Sequence, residues 1–388
     1  MADHPNLSWI ADGRAQTARW YSAGGTPPPR RVVPADDRMC ADIAYRLVCE
    51  GTAVLWQGDY HGGRQLLAAL GRRIDRRSAR RGRRPAAPAG GRATGPADAF
   101  HRHRQAQGHR ARVLGMLLVP LEPGPQGPVV PLRRAPDVAG AVAGAYGPVT
   151  EPGAVALREL LGAVGAHEWR RKGVDIPALG ARVHPHYGVF SPVRGEYVDL
   201  VAEAPLPSKS LAFDVGTGTG VLAAVLARRG MEHVVATDTD PRALECARDN
   251  VARLGLTEQV EVVEGDLFPP GRAPLVVCNP PWLPAKPTSA LEHAVYDPGG
   301  GMLRGFLTGL AEHLEPGGEG WLVLSDLAEH LGLRSRAELL AAIESAGLRV
   351  AARHDTRPRH RRAADTSDPL HAARAAEVTS LWRLTAAE

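Results

Sequence analysis

From Leu211 onward the sequence predicts an α/β fold whose mostly parallel sheet is covered by helices on both faces. Two observations carry this expectation. Short apolar runs alternate with stretches of helical spacing in the βαβ manner, and each run is closed by Gly, Pro or Asp. The chain's 388 residues exceed the usual size of one domain, so a core domain with an extra module is expected. We place an N-terminal accessory region of α or α+β character at residues 1–180 and the sheet-bearing domain at 181–388.

LAFDV (211–215) reads as the first strand and VLAAVLARRG (221–230) as the helix after it, with Gly230 as its stop. HVVATD (233–238) is the second strand, and Pro241 opens the next helix at the position that tolerates proline best. VEVVEGD (260–266) and PLVVCN (274–279) follow as strands. Then come helix GMLRGFLTGLAEHL (301–314), strand GWLVLSD (320–326), helix RAELLAAIESAG (336–347), strand LRVAAR (348–353) and a last strand EVTSLWRL (377–384). In the first half, residues 36–51, 63–77 and 156–169 have helical spacing, and 110–121 reads as a helix end running into a strand. SARRGRRPAAPAGGRATGPADA (78–99) is low-complexity, rich in Arg, Pro, Gly and Ala, and is expected to be a loop.

Composition excludes several classes. No stretch approaches the roughly 18 to 20 apolar residues of a membrane span, and MADHPNLSWIADGRAQTARW lacks the order of a signal peptide. A cytoplasmic protein with no membrane partner is expected. Cys40, Cys49, Cys246 and Cys278 show no CxxC pairing, so neither a zinc knuckle nor a disulfide framework is indicated. His101, His103 and His109, with His184 and His186, suggest no metal site, because i and i+2 lie on different faces of a helix. The net charge of +5 permits an acidic partner without identifying one.

DVGTGTG (214–220) sits at a turn between strand and helix, where glycines let the backbone approach a ligand and the helix start offers free N–H groups. Gly216, Gly218 and Gly220 give GxGxG, with Val221 where a GxGxxG fingerprint needs its last glycine, which disfavours a dinucleotide pyrophosphate cradle. Asp238 ends the second strand, where a carboxylate can accept bonds from both ribose hydroxyls. Asp266 ends the third, with Leu267 and Phe268 beside it: a polar acceptor next to an apolar wall, as an adenine ring requires.

DVGTGTG, ATDTDPRAL, EGDLF and VVCNPPW, in this order and spacing, resemble the motifs of class I S-adenosylmethionine-dependent methyltransferases. The resemblance covers about residues 185 to 330. It implies a Rossmann-like, seven-stranded sheet with an antiparallel last strand, and S-adenosyl-L-methionine as cofactor. It also implies that Asp214, Gly216, Thr217, Gly218 and Gly220 hold the methionine end, Asp238 the ribose, and Asp266 with Leu267 the adenine, with Asn279 adjoining the cofactor.

Methyl transfer from a sulfonium is an in-line displacement, so the enzyme aligns a lone pair behind the methyl and excludes water. The nitrogen of a planar amide or aromatic amine is a poor nucleophile and must be presented in a reactive orientation. Asn279 supplies a side-chain carbonyl, Pro280 a main-chain carbonyl without a competing N–H, Pro281 stiffens the turn, and Trp282 offers a flat face for stacking. The stretch resembles the (Asn/Asp)-Pro-Pro-aromatic motif of amino methyltransferases, where tyrosine or phenylalanine is more usual. LEHAVYDPGGGMLRGFLTGLAEHLEPGG (291–318) and HPHYGVFSPVRGEYVDLV (184–201) are similar to HemK-type enzymes, which methylate a glutamine side-chain amide in a protein; Tyr296, Asp297 and Pro298 stand where that family has a Tyr-Glu-Pro-like triplet.

A glutamine amide of a protein, with ribosome-associated proteins among the candidates, is therefore the first expectation for the acceptor. An exocyclic base amine in RNA or DNA is the alternative, and an inactive adaptor of the same fold the remote one. Residues 72–84 contain eight arginines (72, 73, 76, 77, 80, 81, 83 and 84), and TRPRHRR (356–362) precedes the last strand; both tracts suit phosphates or a ribosomal setting equally.

Overall fold

The computed structural model describes residues 4–11, 13–82, 95–193, 195–287, 292, 295–359, 365–366 and 368–387. They fall into two compact units: Met1–Ala93 with Arg102–Glu168, and Thr94–His101 with Trp169–Glu388.

The first unit carries β1 (Asn6–Ala11), β2 (Arg14–Tyr21), β3 (Val32–Ala35), α1 (Ala41–Cys49), β4 (Ala53–Trp56) and α2 (Tyr60–Gly82). After these come α3 (Pro96–Leu114), whose first turn clusters with the second unit, then β5 (Leu117–Leu121), α4 (Ala139–Tyr146), β6 (Gly153–Ala156) and α5 (Leu157–Lys172). The strands form one mixed sheet in the order β1-β2-β6-β5-β4-β3, parallel from β5 to β3. Leu7, Trp20, Val32, Ala53, Leu55, Leu118 and Ala154 pack into a common core. Burial of a large aliphatic or aromatic side chain stabilises by about 1.5 to 3 kcal/mol. Helix α2 turns Leu66, Leu70 and Ile74, one i, i+4 row, inward.

The expected loop at 78–99 is corrected at both ends, since α2 runs on to Gly82 and α3 begins at Pro96. Arginine is a good helix former, so a basic tract continues a helix that its apolar row has already nucleated. Arg83 and Arg84, the side chains of Arg80 and Arg81, and Arg361 and Arg362 lie outside the described residues.

The second unit opens with the small hairpin β7 (Val174–Ile176) and β8 (Ala181–Val183), then α6 (Glu196–Glu203). Next come β9 (Leu211–Val215), α7 (Val221–Arg228), β10 (His233–Asp238), α8 (Pro241–Arg253), β11 (Val260–Glu264) and β12 (Ala273–Cys278). The chain closes with α9 (Gly301–His313), β13 (Leu314–Ser325), α10 (Leu327–His330), α11 (Arg336–Ser345), β14 (Leu348–Thr356), α12 (His371–Ala376) and β15 (Thr379–Ala386). The sheet is seven-stranded, in the order β11-β10-β9-β12-β13-β15-β14, and β15 runs antiparallel to both neighbours, as expected.

One helical layer, including α6 and α7, packs with Ala212, Leu275, Val277, Trp321 and Val323; the other, including α9 and α11, packs with Phe213, Val276, Leu322 and Leu324. Alternate residues of β12 thus face opposite layers, which is why the strand is apolar throughout. Strand β13 starts at Leu314 rather than at 320, because Leu314 pairs with Ala273 before an irregularity resumes the ladder at Glu319. Asp240 accepts from the Arg242 N–H at 2.9 Å with Pro241 at the first helical position, and Ser335 and Glu338 close a capping box on α11.

Candidate active site

The carboxyl ends of β11, β10, β9 and β12 stand side by side in the sheet, so Asp266, Asp238, the glycine loop and Asn279 follow one another along one edge. Three strand spacings separate the outer two, about 14 Å. Ligands of open parallel sheets bind along this edge.

The glycine loop is stapled to its neighbour. The Thr217 N–H donates to the Thr237 carbonyl at 2.8 Å, and the Gly218 N–H donates to Asp238 Oδ2 at 3.0 Å. Gly216, Gly218 and Gly220 all have left-handed φ, at 71°, 56° and 78°, a region costly for residues with a Cβ. A Cβ at Gly216 would also collide with the Met302 methyl, and one at Gly220 would press on Ala247 Cα at 3.3 Å.

Two carboxylates here sit in environments that disfavour their charge. Asp214 is buried; its Oδ2 accepts from the Thr217 hydroxyl at 2.6 Å and the Ala223 N–H at 3.0 Å. Burial pushes its carboxyl up to about 6 against these two bonds, with the Asp238 charge adding to the rise. Burial likewise raises Asp238, whose Oδ1 accepts from the Asp240 N–H at 3.0 Å. Each protein bond uses part of a carboxylate's roughly four acceptor sites, which leaves capacity for a ligand. A cationic group beside Asp214 would relieve the cost of its charge. The site therefore fits a ligand with an ammonium at one end and vicinal hydroxyls further along.

Asp266 is exposed, two residues beyond the end of β11. Leu267 is half-buried in a left-handed conformation, with φ 68°, and its carbonyl accepts from the Thr237 hydroxyl at 2.5 Å. Phe268 departs from the expected wall. Its ring stacks on His313 at 4.3 Å and on Phe306 at 5.7 Å, so it belongs to the packing of α9.

Asn279 and Trp282 are joined directly, the indole N–H donating to Asn279 Oδ1 at 2.9 Å. The indole is half-buried and packs against core residues of both layers; it is a wedge under the motif as much as a face above it. Pro280 is buried and Pro281 half-buried.

Other residues contribute to this part of the domain, most of them without a local signature. Met302 reaches over Gly216 from the first turn of α9. Asp297 is buried and its Oδ2 accepts from the Met302 and Leu303 N–H groups at 2.9 and 3.3 Å, capping α9; an Asp four residues before a helix was the available sign. Tyr197 is buried, and burial together with the Asp214 charge raises its phenol. Among the described residues, Glu196 Oε1 and Ser191 Oγ are buried with no hydrogen-bond partner. Two of the histidines are tied to α8: His186 Nε2 pairs with Asp249 Oδ2 at 3.1 Å, and the His184 backbone N–H donates to Asn250 Oδ1 at 2.7 Å. Among the described residues no group of three or more His, Cys, Asp and Glu could hold a metal ion, and no helix is long and apolar enough to cross a membrane.

The sheet order, the glycine loop and the carboxylates at successive strand ends define a Rossmann-like α/β domain with a candidate ligand site at the carboxyl ends of its strands. Residues 181–343 match the family model described as methyltransferase small domain. The release factor glutamine methyltransferase of Cereibacter sphaeroides is 33% identical over 169 residues, covering 40% of this chain and 58% of that protein. That of Deinococcus radiodurans is 36% identical over 166 residues, 39% of this chain and 56% of that protein. The ribosomal protein L11 methyltransferase of Pelotomaculum thermopropionicum is 51% identical over 69 residues, covering 17% of this chain and 22% of that protein. The second unit thus resembles class I methyltransferase domains, with release factor glutamine methyltransferases among its relatives at 33% and 36% identity. The chain spans a little over half the length of the two release factor methyltransferases it matches.

Proposed function

We propose that this protein transfers a methyl group from S-adenosyl-L-methionine to the side-chain amide nitrogen of a glutamine in a protein. The observation that carries this reading is the Asn279 to Trp282 motif at the end of β12, beside the glycine loop of β9. The cofactor supplies an electrophilic methyl on a sulfonium. Asp214 and the glycine loop would hold its methionine end, Asp238 its ribose, and Asp266 and Leu267 its adenine.

Asn279 Oδ1 spends one lone pair on the Trp282 N–H, which leaves the other for an N–H of the acceptor. The indole also fixes which way the amide points; flipped, it would set an NH2 against the acceptor's NH2. The Pro280 carbonyl supplies the second acceptor. Two carbonyls facing one NH2 orient its nitrogen and favour the positive charge that develops there during alkylation. The nitrogen then loses a proton to water, so no general base is required. The release factor methyltransferases among the relatives support a protein glutamine acceptor, and the L11 methyltransferases support a protein acceptor more broadly.

A base amine of RNA presents the same NH2 to the same pair of carbonyls, and the arginine-rich tracts suit this second reading as well as the first. Incubation of the protein with methyl-labelled cofactor and fractionated bacterial extract separates the two. Label destroyed by protease and resistant to RNase is the expected result; label lost to RNase assigns the base amine instead.

A further inference from the structure

The charge of this chain is segregated. Residues 60–114 hold 14 arginines against two aspartates, whereas the remaining residues hold 33 basic and 40 acidic side chains. The basic excess of the protein therefore resides in α2, α3 and the segment between them. Helix α2 organises part of it. Arg64, Arg72 and Arg76 fall on one i+4 row, spaced over about 18 Å of helix. This row lies opposite the buried Leu66, Leu70 and Ile74, and all three arginines are exposed.

Neighbouring arginines are differently employed: Asp42 holds Arg73 at 2.8 Å, and Asp75 holds Arg110 at 3.0 Å. Arg64 and Arg72 enter no ion pair among the described residues, and Arg76 only adds to the field that lowers the Asp42 carboxyl. Asp75 lies on the same face but is held by Arg110, so three arginines stand against one shared carboxylate, and such an excess of like charge costs folding energy through self-repulsion. That cost is offset when a polyanion lies along it.

We propose that this face of α2 binds the phosphodiester backbone of a polynucleotide, with ribosomal RNA as its source. The character of the face selects that partner. Gln65, Ala68 and Asp75, the last held by Arg110, are the other exposed residues between the arginines. The face thus carries neither the aromatic or aliphatic anchors that dominate protein interfaces nor the apolar side chains that enter a bilayer. Phosphate contacts need no such anchor; they need arginines or lysines at intervals along a line. The proposal concerns docking, and holds whether the methyl acceptor is a protein or a base.

The test uses the full-length protein and a fluorescein-labelled single-stranded fragment of bacterial 23S ribosomal RNA, titrated over a range of salt. The triple variant Arg64→Gln, Arg72→Gln, Arg76→Gln is compared with Arg14→Gln, Arg272→Gln, Arg349→Gln, which removes the same charge from exposed sites elsewhere. Glutamine preserves helix propensity, and an unchanged melting temperature verifies folding. The α2 triple is expected to weaken RNA binding about tenfold, and to flatten the slope of log affinity against log salt by about 2, since each lost single-strand phosphate contact removes about 0.7. The control triple should leave that slope nearly intact. A DNA duplex bound equally well supports the backbone reading and shifts the source away from ribosomal RNA. The proposal is overturned by equal losses in the two triples, by no measurable RNA binding in the wild type, or by equal affinity for phosphatidylserine vesicles.

Discussion

At Asn279 the question is what one side-chain carbonyl is for. Asn279→Ala should lower methyl transfer by 10²-fold or more, on the scale of removing one preorganised group that stabilises developing charge, and leave cofactor affinity within about twofold. Asp238→Ala should do the reverse, weakening cofactor binding about 10- to 100-fold through lost charge-assisted bonds. Calorimetry beside a transfer assay distinguishes them. Trp282→Phe keeps an aromatic ring and removes the donor that orients Asn279, so kcat should fall about tenfold with little change in cofactor affinity. Asp214 sets a pH dependence. Its carboxyl lies at about 6 in the fold against an ordinary 3.8, so the native state binds the extra proton between these values. Its contribution to the stability of the ligand-free protein therefore falls as pH rises through that window. A cationic cofactor prefers the ionised form, so affinity should rise as pH climbs through about 6; affinity that falls there would contradict the assignment of Asp214. The placement of Asp214, the glycines, Asp238 and the Asn279 motif at strand ends was legible because each is read within a few consecutive residues. Met302 over Gly216 was not, since 86 positions separate them in the chain and only the docking of α9 brings them together.

Helix α9 shows what one element adds. Gly305 and Gly309 lie one turn apart on the face that receives Leu267 and Phe268. A Cβ at Gly305 would meet Leu267 Cδ1 at 2.7 Å, the free end of a flexible side chain; one at Gly309 would meet Phe268 Cε2 at 2.6 Å, on a ring stacked against His313 and Phe306. Gly309→Ala should thus cost about 1 to 3 kcal/mol in denaturant unfolding, and Gly305→Ala distinctly less. Equal costs would show that the Phe268 stack yields freely. The βαβ elements of the second unit were readable because apolar strands of five or six residues alternate with capped helices. In the first unit β3, β4 and β6 have only four residues each. A buried apolar run that short does not distinguish strand from helix by periodicity. The basic tract at 78–82 reads as loop by composition, and only its continuity with the packed row of α2 makes it helical.

For the whole molecule, the domain that matches a methyltransferase family adjoins in sequence a unit in which the basic excess is gathered on helices and the segment between them rather than on its mixed sheet. The division of labour within the site is the central claim: the ends of β9 and β10 bind the cofactor, and Asn279 with Pro280 presents the nitrogen. The most direct measurement titrates S-adenosylmethionine into wild-type and Asn279→Ala proteins and, in the same preparations, follows label into the extract fraction that accepts it. The account predicts comparable cofactor binding in both proteins and transfer by the wild type alone. Transfer by Asn279→Ala at the wild-type rate, or a wild-type protein that does not bind the cofactor, would contradict it.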